Sequence, residues 1–176
     1  MDTREAALTV LLDIEVNQTF SNLALGNALR KNQFEEKTKR AFLTRLVEGV
    51  MEYRIRLDYV IDRFSKTKIK KCKPVIACLL RMGCYQILFM DSVPDAAACN
   101  ESVKLAKKHG FSGLSGFVNG VLRTIAREKE TIQYPEYEAD FSSACSVRTS
   151  TPKWLVEKLL ADFGKEKTQK LLQASF

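Results

Sequence analysis

Residues 74–90 read PVIACLLRMGCYQILFM, and only Arg81 and Gln86 interrupt a run of apolar, small and aromatic side chains. Wound as a helix, this stretch is apolar on every side, and such a helix is stable only when other elements surround it. Pro74 suits the first helical turn, where its missing N–H costs nothing. Gly83 lacks a side chain at mid-helix, which predicts a close approach by a neighbour. The stretch therefore predicts the buried centre of an all-α bundle, and the flanking sequence should supply amphipathic helices to cover it.

That sequence does so in both directions. Upstream, Ala7, Val10, Leu11 and Ile14 recur at helical spacing behind Asp2 and Glu5, which are placed as a capping box. Ser21 is the expected cap of a second helix carrying Leu25, Ala28 and Leu29. A third is expected from about Glu36 through Phe42, Leu46, Val50 and Tyr53, and a fourth through Leu57, Val60, Ile61 and Phe64. Downstream, Val93-Pro94 breaks the chain and Asp95 is the expected cap of a helix ending at His109-Gly110. Phe117, Val118, Val121, Leu122 and Ile125 mark another. Residues 132–151, with Pro135, several acids, Ser142 and Ser143, show no sustained period and read as a linker. From Pro152 two short helices follow, divided at Gly164, and they are too small to form a core alone.

Charge is the most uneven property of the chain. Its net charge is +7, and residues 30–73 alone hold fourteen Lys and Arg against six Asp and Glu, an excess of eight. Lys66, Lys68, Lys70, Lys71 and Lys73 crowd one interhelical connection, while Lys31, Lys37, Lys39, Arg40 and Arg45 precede them. Such a concentration predicts a polyanionic partner held through phosphates. Few of these cations alternate with aromatic residues, so base stacking is not expected of them.

Other chemistry finds little support. The five cysteines, Cys72, Cys78, Cys84, Cys99 and Cys145, contain no CxxC pair and predict reduced, packed thiols with no metal site. The single histidine, His109, falls at a helix C-terminus, where it suits the dipole. Gly110, Gly113 and Gly116 lie between two helices rather than after a strand, which predicts a turn and not a nucleotide loop. No apolar run reaches the roughly 18 to 20 residues of a membrane span, and the first residues lack a signal-peptide pattern. A cytoplasmic chain is expected.

Four sequence words, Leu80-Arg-Met-Gly-Cys-Tyr-Gln-Ile-Leu88, Val93-Pro94, Asn100-Glu-Ser-Val-Lys-Leu-Ala106 and Gly116-Phe-Val-Asn-Gly-Val-Leu-Arg123, follow one another in an order that resembles the NusB-like family. The likeness extends upstream through Leu46 to Val50 and Leu57-Asp58. It implies an RNA-binding helical bundle over residues 1–131. Two members of that family compete: a free-standing transcription antitermination factor that pairs with a ribosomal protein, and the domain fused ahead of the ribosomal RNA small subunit methyltransferase B. The segment 152–176, from Trp154 through Leu171-Leu172, resembles the connecting segment of the latter, so the expected function is substrate docking for an S-adenosylmethionine-dependent 16S rRNA (cytosine-5) methyltransferase whose catalytic domain is absent from this chain. The implied partners are small-subunit ribosomal RNA and that methyltransferase domain in cis. The expected RNA-binding residues are Arg4, Lys31, Lys37, Lys39, Arg40, Lys66, Lys68, Lys70, Lys71 and Lys73. Cys145 lacks the preceding proline of the family's catalytic motif, so no nucleophile is expected here, and without a glycine-rich cradle after a strand no S-adenosylmethionine site is expected either.

Overall fold

The computed structural model describes residues 2–32 and 36–174. They form α1 (Thr3–Asn17), α2 (Ser21–Asn32), α3 (Lys37–Glu52), α4 (Arg54–Phe64), α5 (Pro74–Phe89), α6 (Asp95–Lys108), α7 (Ser115–Glu128), α8 (Phe141–Thr149) and α9 (Lys153–Gln173), with a 3₁₀ turn at Ile69–Lys71 leading into α5. No strand occurs among the described residues.

As its composition requires, α5 is the centre: every residue from Ile76 to Ile87 is buried. Leu8 of α1, Leu43 and Leu46 of α3, Leu57 and Ile61 of α4, and Leu122 and Ile125 of α7 close around it in one core. Two glycines set the packing distance. A Cβ on Gly83 would lie 2.5 Å from Leu122 Cδ1, and one on Gly49 would overlap the Tyr85 ring. The two polar residues of α5 are both satisfied. Arg81 donates from Nε to Asp58 Oδ1 at 2.7 Å and from Nη2 to Oδ2 at 3.1 Å. Gln86 donates to the Met82 carbonyl and accepts from Arg4 Nε at 2.8 Å.

Helix ends follow the sequence in part. Asp2 caps α1 by accepting from the Glu5 N–H, but the Glu5 carboxylate turns away to Lys108 Nζ at 2.8 Å, so the capping box is half made. Gly110 stops α6 with φ 86°, and the Phe111 N–H reaches back to the Ala106 carbonyl. Asp95 does not cap α6: Pro94 takes that position and the Asp95 carboxylate receives Lys129 Nζ at 3.0 Å. Ser21 is likewise inside α2 rather than ahead of it, and the Ala24 N–H bonds the Phe20 carbonyl.

Residues 132–151, expected to lack an element, hold α8. Asp140 caps it, and Ala144, Cys145 and Val147 are buried. A nine-residue helix two-thirds made of serine, threonine and small residues shows too little period to be read, and at that length it depends on its surroundings for stability. Those surroundings are α9 and α4. Cys145, Val156 and Leu172 form a small second cluster. Ser150, in the left-handed region at φ 51°, aims its hydroxyl at the first turn of α4 and accepts from the Ile55 N–H at 3.1 Å and the Arg56 N–H at 3.4 Å. No side chain of α4's own performs that service. Gly164 breaks α9 with φ 78°, so the two helices expected there are present but joined end to end.

Candidate nucleic-acid interface

The expected phosphate-binding residues fall into two groups, not one surface. Arg4 lies in the first turn of α1, where the hydrogen bond to Gln86 holds it and its guanidinium carbon sits 5.2 Å from the Phe42 ring. Lys39 shares a shallow depression of about 270 Å³ with Arg4, Thr38 and Phe42. Lys37 and Arg40 are exposed on the same first turns of α3. Lys39 has Glu36 at 3.4 Å, an exposed pair at i, i+3 of little energetic weight. Three cations at a helix N-terminus oppose the helix dipole, and an anion bound there would relieve that opposition.

The second group, Lys66, Lys68, Lys70, Lys71 and Lys73, sits at the other end of α5. Pro74 and Gln86 are separated by about 18 Å along the axis at 1.5 Å per residue. All five lysines are exposed, yet their backbone is fixed: Ile69 is buried between them and its N–H donates to Asp62 Oδ1 at 2.8 Å. A turn pinned in this way presents its ammonium groups from one place. Lys31 stands apart from both groups, on the rim of a largely apolar groove of about 520 Å³ between α1 and α2.

Between the two groups a buried electrostatic unit fixes the frame. Burial pushes the Asp58 carboxyl up, against the hydrogen bonds from Arg81. Burial alone would lower the Arg81 pKa, but the hydrogen bond and charge of Asp58 raise it. Glu15 Oε1 adds a 2.8 Å pair with Arg54 and lies 4.0 Å from Arg81. The same burial disfavours the thiolate form of the cysteines. Burial raises the Cys78 pKa to about 11 and pushes those of Cys84 and Cys145 up as well. Among the described residues no group of three or more His, Cys, Asp or Glu could hold a metal ion, and no helix is long and apolar enough to cross a membrane.

One set of cations was not singled out from the sequence. Arg56 and Arg63 of α4 stack on aromatic rings, Arg56 over Tyr134 at 4.6 Å and Arg63 over Tyr59 at 5.8 Å. The available signal was the spacing Tyr53, Arg56, Tyr59, Arg63, which shares one helix face. Tyr134 lies in residues 132–151, whose composition predicts a linker.

A helical bundle built around one buried helix, with basic groups at both ends of that helix and a docked helical extension, defines a class of all-α modules suited to polyanions. The chain belongs to the NusB family, whose model matches residues 1–127. It is similar to the probable ribosomal RNA small subunit methyltransferase B of Bacillus subtilis, 38% identical over 170 residues, covering 96% of this chain and 37% of that protein. It is also similar to the transcription antitermination protein NusB of Listeria monocytogenes, 34% identical over 128 residues, covering 72% of this chain and 95% of that protein. The chain thus spans little more than a third of its methyltransferase relative. Among solved structures, antitermination factors NusB and NusE in complex with dsRNA match with TM-score 0.66 at 22% identity, over 71% of this chain and 93% of that one. PH0851 matches with TM-score 0.72 at 17% identity, over 96% of this chain and 38% of that one.

Proposed function

We propose that this chain is the RNA-docking domain of an S-adenosylmethionine-dependent 16S rRNA (cytosine-5) methyltransferase, acting in the cytoplasm and joined in cis to a catalytic domain beyond these residues. The observation that carries the reading is the extension of α8 and α9. The methyltransferase relative aligns across 96% of the chain, extension included, whereas the antitermination relative aligns with 72%. That extension is tied to the bundle, because Ser150 accepts from two N–H groups in the first turn of α4. The substrate-binding role falls to the two basic groups, which engage small-subunit ribosomal RNA through phosphates. No residue of this chain is assigned to S-adenosylmethionine or to methyl transfer.

Filter binding of a 16S rRNA fragment over a range of salt tests the reading. Changing Lys68, Lys70 and Lys71 together to Ala should flatten the slope of log affinity against log salt by about 2, at roughly 0.7 per phosphate on single-stranded RNA. Base preference should barely move, since ammonium groups on a turn meet the backbone. Changing Lys165 and Lys167 of α9 should leave the slope alone. An unaltered slope in the triple variant, with lost affinity in the α9 variant, would overturn the assignment. Tight, specific binding of a transcript leader together with a ribosomal protein, and none of 16S rRNA, would favour the antitermination reading.

A further inference from the structure

The face of α4 toward the extension carries an alternating row of guanidinium groups and rings. Arg63 lies over Tyr59, and Tyr59 stacks with Tyr134 at 6.0 Å. Arg56 lies between Tyr134 at 4.6 Å and Phe89 at 5.6 Å, and Phe89 stacks on Tyr53 at 4.4 Å. Beside this row, Arg56, Tyr134, Tyr137, Arg148, Thr149 and Gln173 line a cavity of about 280 Å³ at the junction of bundle and extension.

The two arginines of this cavity differ in a telling way. Arg148 is occupied: its Nε donates to the Pro135 carbonyl at 2.9 Å, Glu136 lies 3.6 Å away, and its guanidinium covers Tyr137. Arg56 is not. Its Nε is buried without a hydrogen-bond partner, and among the described residues no carboxylate pairs with it. A merely structural clamp would stack as Arg56 does, but would also find an acceptor for a buried N–H, as nearly all such groups do. A guanidinium presents five donors in a planar fork, which fits the oxygens of a phosphate. The Ile55 and Arg56 N–H groups of α4 are already taken by Ser150, so the helix end contributes its field and the Arg56 side chain contributes the donors.

We propose that this cavity is a subsite for one nucleotide of single-stranded RNA, with its phosphate on the Arg56 fork and its base against Tyr134 and Tyr137. The inference rests on the RNA-docking reading and deepens it by adding a place where a base, and not only the backbone, is engaged. An unpaired base is required because ring faces are accessible to it only outside a duplex.

The test is a titration of the full chain followed by NMR at the Arg56 Nε–H resonance, using a short oligocytidylate, cytidine 5′-monophosphate, inorganic phosphate and cytidine in turn. The oligonucleotide and the monophosphate should shift that resonance saturably, at concentrations at least about tenfold lower than phosphate or cytidine alone, as expected when a stacked base adds to the phosphate contact. Arg56→Lys should weaken the monophosphate about tenfold or more. Tyr137→Leu, which leaves the bundle core untouched, should do the same and serves if the first variant fails to fold. The triple lysine variant should respond to the monophosphate as the parent does. Equal responses to inorganic phosphate and to the nucleotide would overturn the subsite in favour of a simple anion site. Movement at the lysine turn with none at Arg56 would overturn the subsite and leave the RNA-docking reading standing. No response to the oligonucleotide anywhere would remove both.

Discussion

Helices α5 and α9 are of comparable length and opposite character. In α5, sixteen residues long, the entire stretch from Ile76 to Ile87 is buried, whereas the twenty-one residues of α9 bury only Val156, Thr168 and Leu172. Trp154 of α9 remains 68% exposed, with Phe163 at 45% and Leu171 at 43%. The first helix exists because everything around it packs on it, and its sequence has almost no freedom. The second is helical through local preference and a narrow contact with α8, and it carries large apolar side chains that stay substantially exposed. Helical content therefore says little about where the stability lies.

The comparison breaks if truncations in the two helices cost alike. Leu79 is fully buried in α5, and Leu79→Ala should destabilise by about 2 to 5 kcal/mol, the transfer term plus a cavity. Leu171→Ala, on the open face of α9, should stay within about 0.5 kcal/mol. Denaturant unfolding reads both, and similar losses would show that α9 packs far more tightly than its exposure implies.

A second, smaller effect isolates the polar part of the α5 environment. Asp58→Ala removes both hydrogen bonds to Arg81 and leaves that guanidinium, whose side chain is 7% exposed, with Glu15 alone at 4.0 Å. Breaking a buried pair from one side costs about 3 kcal/mol. Replacing Asp58 and Arg81 together by Leu and Met should recover most of the loss, because no stranded charge remains. Persistence of the full loss in the double variant would mean that the loss does not come from a stranded Arg81 charge.

What could be read in the sequence divides along the same line. The bundle was legible because Leu79, Leu80, Ile87 and their partners repeat at helical spacing over long stretches, and because Pro74, Gly83 and Gly110 each carry a single backbone meaning. Helix α8 was not legible, since Phe141–Thr149 is short and its serines and threonines are also what a loop would contain. The basic residues were legible as charges but not as places: Arg4 and Lys71 are equally cationic in the sequence, and only the course of α5 shows that they face opposite ends. The stacking of Arg56 was only half legible, because Tyr53, Tyr59 and Arg63 share its helix face while its ring partners, Tyr134 and Phe89, come from two distant segments.

Thiol labelling sharpens the contrast with no change of sequence. Cys84 and Cys145 are both buried, one in the large core around α5 and the other in the three-residue cluster between α8 and α9. Burial pushes both thiols up, so neither reacts from the closed state and each is modified only after local opening. Under native conditions Cys145 should therefore label about tenfold faster or more, a ratio that corresponds to about 1.4 kcal/mol less in opening free energy. Equal rates would mean that the extension opens only when the bundle does.

The smallest expected effect tests the joint between the two regions. Among the described residues Ser150 is the only side chain that serves the first turn of α4, and it does so from the far end of α8 while held at φ 51°, a region that residues other than glycine, asparagine and aspartate seldom adopt. Ser150→Ala keeps the backbone cost and removes the acceptor, so stability should fall by about 1 kcal/mol, the usual value of an N-terminal cap. Ser150→Gly removes the same acceptor but eases the left-handed backbone, and should cost less than Ala in spite of its greater freedom when unfolded. The order of the two variants is the decisive reading. If Gly is the worse of the two, the left-handed conformation carries no cost that glycine can relieve. If neither changes stability, the hydroxyl is not capping α4, and the extension is held to the bundle by its other contacts, among them the stacking of Arg56 and Tyr59 on Tyr134 and the Tyr59 hydroxyl on the Gln133 carbonyl. If Ala loses stability and also brings the Cys145 labelling rate up by the same factor, while Cys84 is unmoved, the cap is the contact that makes the extension part of the bundle.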